Sequence, residues 1–183
     1  MRVISVNVGL PKTIVWKGHP VLSGIFKEPV EGRITALRLN LEGDRQADLS
    51  VHGGPEKAIY AYPAEHYDFW RSLLSEIALP PGSFGENLTV EGLTEENVHV
   101  GDCFQIGTAQ MMVTQPRTPC YKLAAKFGRT DIVRHFLETG YSGFYLAVLS
   151  EGEIERGDGV QIIAQSAQRV SIADLNRRKR VLP

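Results

Sequence analysis

Cysteine is scarce: the 183 residues contain two, Cys103 and Cys120. Two thiols cannot build a disulfide framework, so a reducing, cytoplasmic setting is the expected one. No C-x-x-C occurs and the five histidines are scattered, so the spacing of a zinc site is missing too. Charge of one sign is also lacking. Lys and Arg number 20 against 21 Asp and Glu, a net charge of −1, which gives no footing for nucleic acid or a membrane surface as partner. No apolar run reaches the roughly 18 residues of a spanning helix. The opening MRVISVNVGLP has neither a basic start nor a long apolar core, and its alternation reads as a strand rather than a leader. No internal repeat and no low-complexity segment is visible.

Glycine and proline, by contrast, are frequent, at 18 and 10. They punctuate short apolar runs along the whole chain, the pattern of many short strands joined by tight turns. Strands are expected at 2–8, 13–17, 33–41, 57–62, 87–91, 103–106, 109–115, 144–149 and 160–164, with a hairpin turning at Gly107-Thr108. Three helices interrupt them. The first follows Pro63, with Tyr67, Trp70, Leu74 and Ile77 at helical period, and stops at Pro80-Pro81. A shorter one covers 119–127. A third runs from Thr130, as N-cap, to Gly140, with Ile132, Val133, Phe136 and Leu137 on one face.

The expected class is therefore mainly β with inserted helices, as a closed or partly closed antiparallel β-barrel, which leaves the fewest sheet edges. An open α+β sheet is the second choice. Residues 1–165 are expected to form the barrel domain, and 166–183 a basic tail. The tail opens on Ser171 as a helix cap and ends in Arg177-Arg178-Lys179-Arg180. It reads either as the start of a truncated helical domain or as a segment that packs back on the barrel.

Four stretches resist a purely structural reading. In 43–62, His52 and the pair Gly53-Gly54 precede a strand; adjacent glycines let a backbone approach an anion, and they also mark ordinary turns. In 82–93, Glu86 and Asn87 follow a glycine at the mouth of a strand, where an amide suits a heterocycle edge or its own loop. The Gly-Asp pairs at 101–102 and 157–158 read as turns, and Cys103 as a small hydrophobe. In QPRTPCYKL, Thr118 caps a helix with Pro119 and Cys120 in its first turn, and Arg117 and Lys122 add positive potential. Such surroundings favour a thiolate, which serves either a nucleophile or a soft metal.

Together these motifs resemble the MOSC domain, the family named from the C-terminal part of molybdenum-cofactor sulfurases. The likeness rests on D-x-x-x-H-G-G-x-x-x-A-I-Y-x-Y (48–62), F-G-E-N-L-T-V-x-G-L (84–93), V-G-D and I-G (100–107), and Q-P-R-x-P-C-x-K-L (115–123). It spans about residues 1–165 and is closest to the stand-alone bacterial YiiM-type subgroup. The resemblance implies a β-barrel of MOSC (PK-barrel-like) type binding a molybdenum cofactor of the molybdopterin kind, with Cys120 as the protein's ligand to the metal. It implies cofactor contacts from His52, Gly53, Gly54, Asn87 and Arg117. Lys57 and Arg117 are candidates for its phosphate, and His52 or Asp48 for a proton source. The implied reaction is reduction of N-hydroxylated compounds, such as hydroxylaminopurines, to amines, with electrons from a separate reductase. Subgroup members carry a small helical domain after the barrel, whereas this chain ends near its expected start. Pyridoxal phosphate is not expected in a chain this short, and a homodimer is compatible with the pattern. A carrier of sulfur or cofactor, with a persulfide on Cys120, is the alternative function; a non-catalytic domain is a third.

Overall fold

The computed structural model describes residues 1–47 and 53–181. The strands are β1 (Arg2–Val8), β2 (Lys12–Trp16), β3 (His19–Ser23), β4 (Glu28–Val30), β5 (Ile34–Ala36), β6 (Ile59–Pro63), β7 (Leu88–Glu91), β8 (Cys103–Ile106), β9 (Ala109–Pro116), β10 (Phe144–Ser150), β11 (Gly152–Ile154) and β12 (Val160–Ala164). The helices are α1 (Tyr67–Leu73), α2 (Tyr121–Phe127), α3 (Ile132–Thr139) and α4 (Ile172–Val181). Among the described residues, no helix is long and apolar enough to cross a membrane.

Eight strands form one sheet in the order β12-β8-β9-β10-β6-β7-β1-β4, and β5–β11 and β2–β3 make two small pairs. The expectation of a closed antiparallel barrel needs two corrections. First, β6 and β7 are parallel, because the chain between them crosses over through α1 and returns to the same end of the sheet. Second, no ladder joins β12 to β4 among the described residues. The sheet does curl: Val3 N–H donates to Asp158 O at 2.9 Å and Val160 N–H to Met1 O at 3.1 Å, bonds of an isolated bridge rather than a shared ladder.

Strand β6 explains how the core is divided. Its side chains alternate between the two faces of the sheet. Ile59 and Ala61 join an aliphatic cluster with Val6, Leu88, Met111 and Leu146. Tyr60 and Tyr62 join an aromatic cluster with Trp70, Phe84, Leu123 and Phe136, which fastens α1, α2 and α3 to the other face. The Trp70 indole N–H donates to the Tyr62 hydroxyl at 2.5 Å, and the Tyr60 hydroxyl to Ser142 O at 2.8 Å, so the buried polar tips of this cluster are satisfied.

Element ends depart from the sequence reading for local reasons. The expected strand 33–41 is cut to β5 by a turn in which Leu37 N–H donates to Asn40 O. Strand β3 was not expected; it pairs with β2 through a two-residue turn, Lys17-Gly18, with φ of 50° and 80°, the left-handed pair that tight hairpins use. Helix α1 begins after a 3-10 turn and ends at Leu74 (φ −119°), short of Pro80. Helix α3 is capped at Asp131 rather than Thr130, and does end on a left-handed Gly140. The Gly-Asp pairs are turns: Asp102 accepts from His99 N–H and Ser166 N–H, and Asp158 from Glu155 N–H.

Residues 171–181 lie against the sheet domain. Ser171 Oγ accepts from Asp174 N–H at 3.0 Å while Ser171 N–H donates back to Asp174 at 3.3 Å, a reciprocal cap that starts α4. Ile172 is buried in the aliphatic cluster, and its N–H donates to Val98 O.

Candidate functional site

Where the aromatic face of the sheet meets the loops, the chain leaves a cleft of about 670 Å³, its open mouth included. Tyr60 of β6 and Tyr145 of β10, paired across the ladder, line it, with ring centroids 5.5 Å apart. Loops 23–27, 44–47 and 84–87 supply walls, and the segment after β9 supplies Arg117, Thr118, Cys120 and Lys122.

The walls are held by buried ion-pair and amide contacts. Lys27 and Asp44 form an ion pair whose side chains are 5% and 1% exposed. Asp44 Oδ1 also accepts from Gly9 N–H at 2.9 Å, and Oδ2 from Asn87 Nδ2 at 2.9 Å. Asn87 Oδ1 accepts from Tyr60 N–H at 3.1 Å and its Nδ2 also donates to Asn7 O at 3.3 Å. Both amide hydrogens of Asn87 are thus engaged inside the fold, which leaves one lone pair of Oδ1 for a ligand. Asn87 lines the cleft chiefly as a brace between three segments. Gly85 has φ 85°, and a Cβ there would stand 2.8 Å from Ile25 Cγ1, so a glycine lets loops 84–87 and 23–27 close together. Helix α2 adds Lys126, whose ammonium donates to Ile25 O at 3.1 Å and Gly82 O at 3.2 Å.

Positive charge dominates the lining. Among the described residues, Lys27, Lys57, Arg117 and Lys122 face one carboxylate, Asp44. Arg117 is 7% exposed. Its guanidinium carbon lies 5.2 Å from the Tyr60 ring centre and 5.4 Å from that of Phe136, within cation–π range. Its Nη1 is buried and has no hydrogen-bond partner among the described residues, an arrangement that calls for a ligand atom. Burial alone would lower the Arg117 pKa, but Tyr60, Tyr145 and Cys120 together hold it above the ordinary guanidinium value, and the charge is kept.

Cys120 is partly exposed and lines the same cleft. Its place on the helix corrects the expectation. Cys120, not Thr118, occupies the N-cap position of α2, in extended conformation (φ −126°, ψ 173°), so it precedes the first turn rather than lying in it. Helix α2 has only seven residues. The positive potential at the sulfur therefore comes from Arg117 and Lys122 more than from a macrodipole. Cys103 differs: burial first, and the Asp102 carboxylate second, push its thiol pKa up, away from the thiolate form. The two cysteines are not joined to each other.

The structure thus brings Lys57, Asn87, Arg117 and Cys120 to one cleft. Gly53 and Gly54 are not among its lining residues; Gly54 (φ 86°) precedes the 3-10 turn that carries Lys57. Asp48 and His52 lie outside the described residues. Lys27, Asp44, Tyr60 and Tyr145 were missed as lining residues. A lone lysine inside the apolar stretch GIFKEPV was the one local signal for Lys27. Glu86 is not a cleft residue at all. Fully buried, it accepts from the Tyr67 hydroxyl, the Thr89 hydroxyl and the N–H groups of Gly82 and Phe84, and so ties its own loop.

The profile of the MOSC domain matches residues 48–161. The chain belongs to the MOSC domain family. It is 47% identical to YflK of Bacillus subtilis over 175 residues, 96% of this chain and 79% of that one. It is 30% identical to a reductase of Gibberella moniliformis over 168 residues, which is 87% of this chain and 29% of that longer protein. The crystal structure of YiiM from Geobacillus stearothermophilus superposes with a TM-score of 0.80 at 36% identity, covering 97% of this chain and 83% of that one. In this MOSC domain the motif that ends in Pro119-Cys120 and the motif G-E-N meet at the cleft, although 33 positions separate Asn87 from Cys120.

Lys126 gives the MOSC fold a pH signature. Burial is the largest cause of its lowered pKa, with the Glu86 carboxylate opposing and Arg117 adding to it, and the value falls to about 8. Lys27 shifts the same way, by burial against the pull of Asp44. An unfolded lysine holds its proton to about pH 10.4. Between these values the unfolded chain binds more protons, so stability rises with pH. The urea midpoint is expected to climb from pH 8 toward pH 9.5, and Lys126→Met is expected to flatten that climb. A midpoint that falls over this interval in the unaltered protein contradicts the assignment.

Proposed function

We propose that this MOSC domain is a molybdenum-cofactor-dependent reductase of N-hydroxylated compounds, such as hydroxylaminopurines, working with a separate electron-donating reductase. The observation that carries the reading is the cleft itself. One partly exposed thiol, Cys120, shares it with three lysines and with a buried arginine, Arg117, whose Nη1 lacks a hydrogen-bond partner among the described residues.

Those residues fit the cofactor's donor and acceptor chemistry. Among the described residues, no group of three or more His, Cys, Asp or Glu is placed to hold a metal ion. A metal at Cys120 would therefore take its other ligands from a bound organic group. Arg117 and Lys57, with Lys27 and Lys122, would hold the phosphate of such a group, arginine by its fixed fork and lysine as a point charge. Tyr60 and Tyr145 offer ring faces for a planar heterocycle. When bound, the cofactor supplies the two electrons and the acceptor for oxygen that conversion of R–NHOH to R–NH2 and water requires, which side chains cannot supply. The chain's share is to orient, to exclude water and to deliver protons, for which Asp48 and His52 are the candidates by motif. A relative named a reductase supports the oxidoreductase class.

The test is turnover. Protein from a molybdenum-replete host, given reduced methyl viologen and 6-hydroxylaminopurine, is expected to form adenine. Metal-free protein bearing a labile sulfane sulfur on Cys120, with no turnover, would instead establish the carrier role.

A further inference from the structure

A second cavity, of about 780 Å³ with its mouth, shares Arg117 and Thr118 with the first and is walled mainly by α3 and α4, with Pro119, Gly140 and Ser142 completing the lining. Its charged lining is Arg117, Arg134 and Lys179 against a single carboxylate, Glu138. That carboxylate neutralises little. Glu138 Oε1 stands 3.9 Å from Arg134 Nη1, beyond hydrogen-bond reach, and both side chains are more than half exposed, the kind of pair whose energy is small. Lys179 Nζ donates at 3.0 Å to the neutral hydroxyl of Thr118, and among the described residues no carboxylate pairs with it. Arg117, which lines both cavities, supplies a third cation. The remaining polar lining is already engaged: Asn176 Nδ2 donates to Gly140 O at 3.1 Å and to Ser142 Oγ at 2.9 Å. Pro119 and Leu137 give the cavity an apolar side.

Three cations lining one cavity beside an apolar wall, with one weakly paired and exposed counter-charge, suit an oxyanion carried on a small organic body. We propose that this cavity binds a phosphomonoester, its phosphate held by Arg134, Lys179 and Arg117 and its organic part resting on Pro119 and Leu137. Because it touches Arg117 and Thr118, the site adjoins the segment that presents Cys120, yet it is separate from the cleft that contains the thiol. The inference does not rest on the reductase reading, although Arg117 lines both cavities.

Calorimetric titration of the full chain tests it with adenosine monophosphate, inorganic phosphate and adenosine as probes. Adenosine monophosphate is expected to bind and adenosine not to. Binding by phosphate alone at equal strength would identify the bare ion as the ligand; weaker binding would show that the organic part is read as well. The double variant Arg134→Ala/Lys179→Ala changes two exposed side chains, so folding is expected to persist, with a matching thermal midpoint as control. It is expected to weaken the anion at least about tenfold. The proposal is overturned if no probe binds at millimolar concentration or if adenosine binds as well as its monophosphate. It is equally overturned if the double variant binds the anion unchanged, for the cations of the first cleft would then be the site.

Discussion

Cys120→Ser is expected to abolish turnover, by about a thousandfold or more, while leaving the fold intact. Serine keeps the shape of the residue but cannot present an anion near neutral pH, whereas a thiol can. Cys120 is the N-cap residue of α2, its side chain makes no capping bond, and only its carbonyl serves the helix, accepting from Leu123 N–H at 3.0 Å. Serine is among the preferred N-cap residues, so the thermal midpoint should hold or rise slightly. Loss of turnover at an unchanged midpoint separates chemistry from folding. A serine variant that reduces hydroxylaminopurine at the unaltered rate would remove the sulfur from the mechanism.

Glu86→Ala carries the opposite expectation: a loss of stability that precedes any question of activity. Its carboxylate is fully buried and serves two backbone N–H groups and two hydroxyls at once. Alanine would strand these donors in a region closed to water, at about 1–3 kcal/mol for each group left unsatisfied. A total of at least about 3 kcal/mol is a large fraction of a domain's stability. Glu86→Gln should recover part of the loss, because its amide oxygen can keep the three bonds that Oε1 accepts while its NH2 group faces the one N–H, of Phe84, that Oε2 accepts. Urea unfolding measures both variants; a loss under about 1 kcal/mol would show that loop 82–87 is held by other contacts.

These two residues also mark what the sequence could disclose. Alternation and glycine punctuation are local, and they located β1, β8, β9 and β12 closely. Capping chemistry is local as well, and Ser171 and Gly140 stand where it placed them. What failed depends on distant parts of the chain. The direction of β7 against β6 follows from a crossover, which no strand-length pattern encodes. Glu86 looked like part of a ligand motif because its partners Tyr67 and Thr89 could not be seen to converge on it. Lys27 and Asp44 form their pair across 17 positions of irregular chain, so neither looked like a wall of the cleft. Arg117 and Cys120 were legible together because they are near neighbours in one segment. Asn87 stood out as an amide after a glycine at a strand mouth, Lys57 entered only with the motif resemblance, and it is the folding of β6 beside β7 that sets their segments at one cleft.

The central claim is that Cys120 anchors a metal-bearing cofactor in the Arg117 cleft. Its most direct test is the molybdenum content of freshly purified protein from a molybdenum-replete host, measured beside Cys120→Ser. About one metal per chain in the unaltered protein and none in the serine variant is the expected result. Equal metal in both proteins, or none in either while Cys120 carries sulfane sulfur, would contradict it.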